Sequence, residues 1–189
     1  MALTLLSTKF FSDQRGWFSE TFHADRFTKL VGEEKWIQDN QSFSRDVGTL
    51  RGLHFQLPPH PQAKLVRCLA GALFDVSVDI RQGSPTYGQW LGVELSAENG
   101  KQLYIPEGFA HGFITLVPDT MIFYKVTDYY APDCDCGLAW DDRDIGIDWP
   151  LPAGLPVLSA KDEKQPSLKE FRSPFAYYGR PLSLTEVVL

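Results

Sequence analysis

At 189 residues, 43% hydrophobic and 13% aromatic, the chain matches one domain of about 100–200 residues with a substantial core. Its net charge of −6 argues against a polyanion-binding surface, because nucleic-acid partners need many Lys and Arg to displace counterions. Three cysteines, with only the C-x-C pair Cys134 and Cys136 close together, are read as free thiols in a reducing cytoplasm.

The first residues, MALTLLSTKFF, carry no positive segment before a short apolar run, and nowhere do about 18 uncharged apolar residues follow one another. Neither export nor membrane insertion is expected. In Ala24 to Val31, Phe27, Leu30 and Val31 form one helical face, and Gly32 supplies a left-handed stop. Strands are expected at Lys64 to Leu69 and at Leu73 to Arg81, where Phe74, Val76, Val78 and Ile80 alternate with Asp75, Ser77 and Asp79. Leu91, Val93 and Leu95 alternate likewise, and both stretches read as half-buried strands of an antiparallel sheet. Further strands are expected at Gln102 to Ile105, Gly112 to Val117 and Met121 to Tyr129. Many short strands punctuated by Gly and Pro, with one minor helix, make an all-β sandwich or barrel of the jelly-roll type. From about residue 150 the Pro-rich chain is expected to lie over that barrel as an extension of the same domain.

Two histidines raise the question of function. Gly100, Pro106-Glu107-Gly108 and His111 resemble the second motif of the cupin superfamily, and Gly48 followed by His54 begins the first. The second histidine of that first motif is replaced by Gln56, and LPPHPQAKLVRC supplies no glutamate. Too few donors are left for a catalytic metal, which typically keeps three protein ligands. No metal and no other cofactor is therefore expected. Both histidines could simply be hydrogen-bonded members of a barrel wall. Arg51, His54 and Lys64 lie within fourteen residues, however, and inward-facing cations are expensive unless an anion pairs with them. An anionic ligand is implied.

DQRGWFSETF, IQDNQS, LRGLHFQ, AKLVRC, FDVSVDIRQGSPTYGQW, LSAENGKQLYIPEGFAHGF, FYKVTDYYAP and LSAKD run in order from about residue 9 to 165. In these stretches the chain resembles the dTDP-4-dehydrorhamnose 3,5-epimerases, cupin-like jelly rolls that work without metal. The resemblance implies acid-base inversion of dTDP-4-dehydro-6-deoxy-D-glucose at C3′ and C5′; the cytoplasmic location expected rests on the cysteines and the first residues instead. It makes His54 the general base, Asp162 its carboxylate partner, Tyr124 the general acid and Lys64 the cation beside the reacting sugar oxygen. Arg15, Glu20, Gln38, Asp39, Asn40, Arg51, His111 and Lys161 would line the nucleotide-sugar site. Asp135 in APDCDCG stands, with a shorter reach, where the family has Glu. A homodimer is implied, with N-terminal strands contributing to the partner's sheet and site, although the segment before Lys9 is shorter than the family's. The tail beyond about Phe175 lies outside the resemblance.

The residue types suit the chemistry. A ketone at C4′ acidifies the hydrogens on both neighbouring carbons, and inversion needs a base on one face and an acid on the other. An imidazole, with an unperturbed pKa of about 6.5, accepts a proton at pH 7, whereas a phenol, at about 10, keeps one to give. Arginine forks suit the diphosphate. Three other readings stay open on the residues: a metal-dependent cupin enzyme, a non-catalytic sugar-nucleotide-binding module, and an enzyme that inverts C3′ or C5′ alone.

Overall fold

The computed structural model of the chain describes residues 2–152 and 154–189. Its strands are β1 (Leu3–Ser7), β2 (Phe11–Asp13), β3 (Gly16–Phe18), β4 (Gln38–Ser44), β5 (Leu50–Gln56), β6 (Lys64–Ala70), β7 (Ala72–Asp79), β8 (Trp90–Ser96), β9 (Lys101–Ile105), β10 (Phe109–Thr115), β11 (Thr120–Val126), β12 (Asp135–Gly137) and β13 (Leu184–Val188), with one helix, α1 (Ala24–Leu30). They form a six-stranded sheet, ordered β13-β1-β9-β6-β11-β4, and a five-stranded sheet, ordered β12-β5-β10-β7-β8. A separate hairpin joins β2 to β3. All named pairings are antiparallel except β1 with β13. The fold is the all-β, cupin-like jelly roll that the strand pattern predicts.

Apolar side chains of both sheets fill one part of the space between them: Leu3, Leu5, Val66, Leu103 and Ile122 meet Leu73, Leu95, Phe109 and Phe113. Each such side chain contributes about 1.5–3 kcal/mol on full burial. The outer face of the five-stranded sheet is also covered. Leu50, Leu53, Phe55, Val76, Val78, Ile80, Ala110 and Ile114 pack beneath Leu138, Ile145, Trp149, Leu168 and Phe175.

This cover changes the reading of β7. Its alternation suggests a strand with one wet face, whereas Asp75, Ser77 and Asp79 are as fully buried as Val76 and Val78. The C-terminal segment shields the valine face, and the aspartate face points between the sheets. In α1, Phe27 is buried against Tyr104 and Trp36, but Leu30 is 42% exposed. Val31 packs on the same cluster as Phe27, and the helix, only seven residues long, ends at Leu30. β10 starts three residues earlier than the sequence suggests, which places His111 within a strand.

One irregularity decides where the site residues point. A regular strand puts residues of odd spacing on opposite faces, so Arg51 and His54 should diverge. In the pairing of β5 with β10, His54 lies opposite His111 and Arg51 opposite Phe113. Gly52 and Leu53 therefore oppose Gly112 alone, a β-bulge that returns His54 to the inner face. The bulge needs glycine: Gly52 has φ +129°, and a Cβ there would lie 2.5 Å from the Gly112 Cα. Gly52→Ala is expected to destabilise the fold by about 2–4 kcal/mol in urea unfolding, through strain and overpacking together. An unchanged unfolding midpoint would contradict this account of the bulge.

Candidate active site

The polar end of the space between the sheets is a cleft with two lobes that share His54, Lys64 and Tyr124. One, of about 180 Å³, is lined by Ser42, Arg51, His54, Lys64, His111, Phe113, Ile122 and Tyr124. The other, of about 250 Å³, adds Gln56, Gln62, Tyr130, Asp135 and Lys161. His54 and Tyr124 come from different sheets, on β5 and β11, and so face the cleft from its two walls.

His54 Nε2 lies 2.5 Å from Asp162 Oδ1. The chain reaches this point beside β5, where Leu50 N donates to Val157 O and Val157 N to Gly48 O. A short 3-10 turn (Asp162–Lys164) then carries the carboxylate to the ring, and Ser159 Oγ donates to its second oxygen at 2.9 Å. Burial raises the Asp162 pKa, but hydrogen bonds from His54 and Ser159 and the charges of His54 and Lys161 outweigh it and hold the group below the usual carboxylate range. An ionised carboxylate only accepts, so Nε2 carries the proton and Nδ1 is the basic nitrogen.

Lys64 projects from β6 into both lobes, and its Nζ donates to His54 O at 3.3 Å. Burial pushes its pKa down from 10.5 to about 8, against the attraction of Asp75 and Asp135 and with the repulsion of Lys161. Burial also pushes the Tyr124 phenol up, with Arg51 opposing and Asp135 adding, so the hydroxyl keeps its proton at neutral pH.

Arg51 donates to Ser44 Oγ and Phe43 O, which hold its guanidinium along the first lobe. Gln38 and Asn40 lie on the inner face of β4, joined by a 2.8 Å hydrogen bond, with Asn40 paired opposite Tyr124. Asp135 takes Lys161 at 2.5 Å and the Tyr130 hydroxyl at 2.9 Å, and all three line the second lobe. His111 lies at the floor of the first lobe, its Nε2 on Asp75.

Three expected residues are not brought to the cleft within this chain. Asp39 is turned to the outer face of β4 by strand alternation and pairs with Lys125 at 2.7 Å. Arg15 sits on the β2-β3 hairpin, 87% exposed and bonded to Asp13, and Glu20 pairs with Arg26. Conversely, Tyr130 and Asp75 belong to the cleft and its floor although sequence reasoning passed over them. The doubled tyrosine before the Ala131-Pro132 turn and the polar face of β7 were the available signals. Among the described residues, no three His, Cys, Asp or Glu side chains form a metal-ligand group, and no helix is long and apolar enough to cross a membrane.

Comparison with known proteins identifies the family. The sequence model of the family described as dTDP-4-dehydrorhamnose 3,5-epimerase matches residues 2–170. A dTDP-4-dehydrorhamnose 3,5-epimerase of Sinorhizobium fredii (strain NBRC 101917 / NGR234) is 56% identical over 92% of this chain and 88% of its own length. That of Salmonella typhimurium is 51% identical over 88% of this chain and 90% of its own. The crystal structure of a dTDP-6-deoxy-D-glucose-3,5-epimerase from Legionella pneumophila, in complex with dTDP-4-keto-L-rhamnose, superposes with a TM-score of 0.87 at 45% identity, covering 92% of each chain. By family match and by identity alike, the chain belongs to the dTDP-4-dehydrorhamnose 3,5-epimerase family.

Proposed function

We propose that the protein epimerises dTDP-4-dehydro-6-deoxy-D-glucose at C3′ and C5′ to dTDP-4-dehydro-L-rhamnose by acid-base catalysis, with His54 as base and Tyr124 as acid. The observation that carries the assignment of roles is the His54–Asp162 pair on one wall of a cleft whose other wall presents a protonated phenol. His54 Nδ1 takes the hydrogen beside the ketone, and Asp162 stabilises the imidazolium that results. Lys64 meets the negative charge that develops on the C4′ oxygen. Tyr124 then gives a proton to the carbon from the opposite face, which inverts the centre. Once His54 has released its proton and Tyr124 has regained one, by exchange with solvent, repetition at the second carbon gives the doubly inverted product. Arg51 suits the diphosphate, and Gln38, Asn40, His111, Asp135 and Lys161 complete the nucleotide-sugar site. This chemistry calls on no metal or organic cofactor.

Conversion of the 4-keto sugar nucleotide, followed by NMR, tests the assignment. The product expected carries both inversions; a product inverted at one carbon, or tight binding without turnover, would contradict it. Because the ammonium form of Lys64 is the active one, kcat/KM should fall as pH rises through about 8. A profile flat to pH 9.5 would remove Lys64 from this role.

The exposed hairpin favours a homodimer. Phe11, Trp17 and Phe18 are 53%, 62% and 68% exposed, on a two-stranded unit that is marginal by itself. Covering it with a second copy would bury these rings and bring Arg15 and Glu20 to the partner's cleft. Trp17→Ser with Phe18→Ser is expected to shift the sedimentation coefficient from dimer to monomer and to raise KM about tenfold or more, the loss of one charged hydrogen bond or so. An unchanged mass and KM would place Arg15 outside the site. The three free thiols suit a reducing cytoplasm.

A further inference from the structure

Asp75 has no part in the roles given above, yet it lies directly beneath them. β7 aims its side chain between the sheets, where it is fully buried and both oxygens accept from His111 Nε2, at 3.0 and 2.9 Å. Pairing of β10 with β5 sets His111 opposite His54. Asp79, two residues along the same face, offers a contrast. It is saturated by Arg81, at 2.8 and 2.7 Å, and by the hydroxyls of Ser84 and Thr86, so it is a closed structural ion pair. The side-chain hydrogen bonds of Asp75 among the described residues come from His111 alone. Burial lowers the pKa of that histidine, against the opposing pull of Asp75, which favours the neutral ring. A neutral imidazole cannot cancel a carboxylate. The dyad keeps a net negative charge under the cleft.

The groups facing Lys64 come from every neighbouring element: Asp75 on β7, His111 on β10, His54 and Arg51 on β5, Tyr124 on β11, Asp135 on β12 and Lys161 before the short turn. Only two of these are acids that can balance its ammonium. Asp135 is already engaged by the Lys161 ammonium and the Tyr130 hydroxyl. That leaves Asp75 as the available counter-charge. Without one, a buried ammonium sheds its proton instead of remaining charged.

We propose that Asp75 is a positioning residue for the epimerisation: it fixes His111 with the proton on Nε2 and Nδ1 free to accept, and it supplies the counter-charge beneath the Lys64 ammonium. The inference rests on the reading in which Lys64 meets the C4′ oxygen. One consequence concerns recognition. With Nδ1 unprotonated, His111 accepts a hydrogen bond from a sugar hydroxyl and offers nothing to an oxyanion, so stabilisation of the enolate falls to Lys64.

The test compares Asp75→Asn with wild type in the full chain, reading kcat/KM against pH and deuterium uptake from D₂O at C3′. The alkaline limb is expected to move down by about 1–3 pH units, the effect of removing an opposite charge at close range. The ratio of variant to wild-type kcat/KM should then rise toward one as pH is lowered, since loss of the neutral base at low pH affects both proteins alike. A merely structural role would depress the rate equally at all pH values and leave the limb in place, which would overturn the proposal. ¹⁵N NMR of wild-type His111 needs no variant and covers poor folding of Asp75→Asn. Protonated Nε2 with bare Nδ1 from pH 6 to 8 is expected, and the opposite tautomer or an imidazolium would overturn it. Wild type that exchanges no hydrogen at all would instead sink the functional reading beneath.

Discussion

Replacing His54 with alanine is expected to lower kcat by about 10²–10⁴-fold, the usual contribution of a positioned acid-base group, with little change in unfolding midpoint. The side chain is one-third exposed at the cleft, so its loss empties no core. Asp162→Asn should fall nearly as far. An amide at that position can donate to the ring and so stabilise the wrong tautomer, with the proton on the nitrogen that has to accept one. Since base and carboxylate act as a unit, the double variant should be hardly worse than either single one. Steady-state turnover of the three variants checks this, and additive losses would mean that the 2.5 Å contact is incidental to the reaction.

Lys64→Met carries the second large expectation. Loss of one preorganised partner for a developing oxyanion lowers kcat by about 10²–10³-fold, about 3–4 kcal/mol. The substitution should act on kcat far more than on KM, because the charge it answers is absent from the ground state. It should also alter stability in a defined direction. The folded pKa of Lys64, about 8, lies below its ordinary 10.5, so the unfolded chain holds more protons between these values. The contribution of this group to stability is therefore present above pH 10.5 and lost as pH falls through about 8. Wild type should gain stability relative to Lys64→Met across that window. Parallel curves of urea midpoint against pH would contradict the burial of this ammonium.

Much of the fold was legible because β6, β7, β8, β9, β10 and β11 carry alternation or β-branched runs that local sequence registers. β13 was not, since a parallel edge strand is recruited by β1 from far along the chain and leaves no hairpin signal. The wet face expected of β7 failed for a related reason: the residues that cover it, Trp149, Leu168 and Phe175, are remote in sequence.

For the site, motif spacing drew attention to His54 and the clustered cations to Lys64, whereas Tyr124 and Asp162 came from the family resemblance alone; the fold brings all four to one cleft. Spacing could not say how Arg51 and His54, three residues apart, share a face. Gly52 was the clue, since glycine inside a strand marks a bulge. Asp39 was carried along with Gln38 and Asn40, although period-two geometry already turned it the other way. Arg15 and Glu20 lie where no single chain can bring them to His54 without the hairpin moving or a second copy arriving.

The most direct measurement is deuterium uptake from D₂O into the 4-keto sugar nucleotide, for wild type and His54→Ala side by side. Label at both C3′ and C5′ with wild type, and at neither with the variant, is the predicted result. Undiminished labelling by His54→Ala would show that some other group removes these hydrogens and would contradict the account.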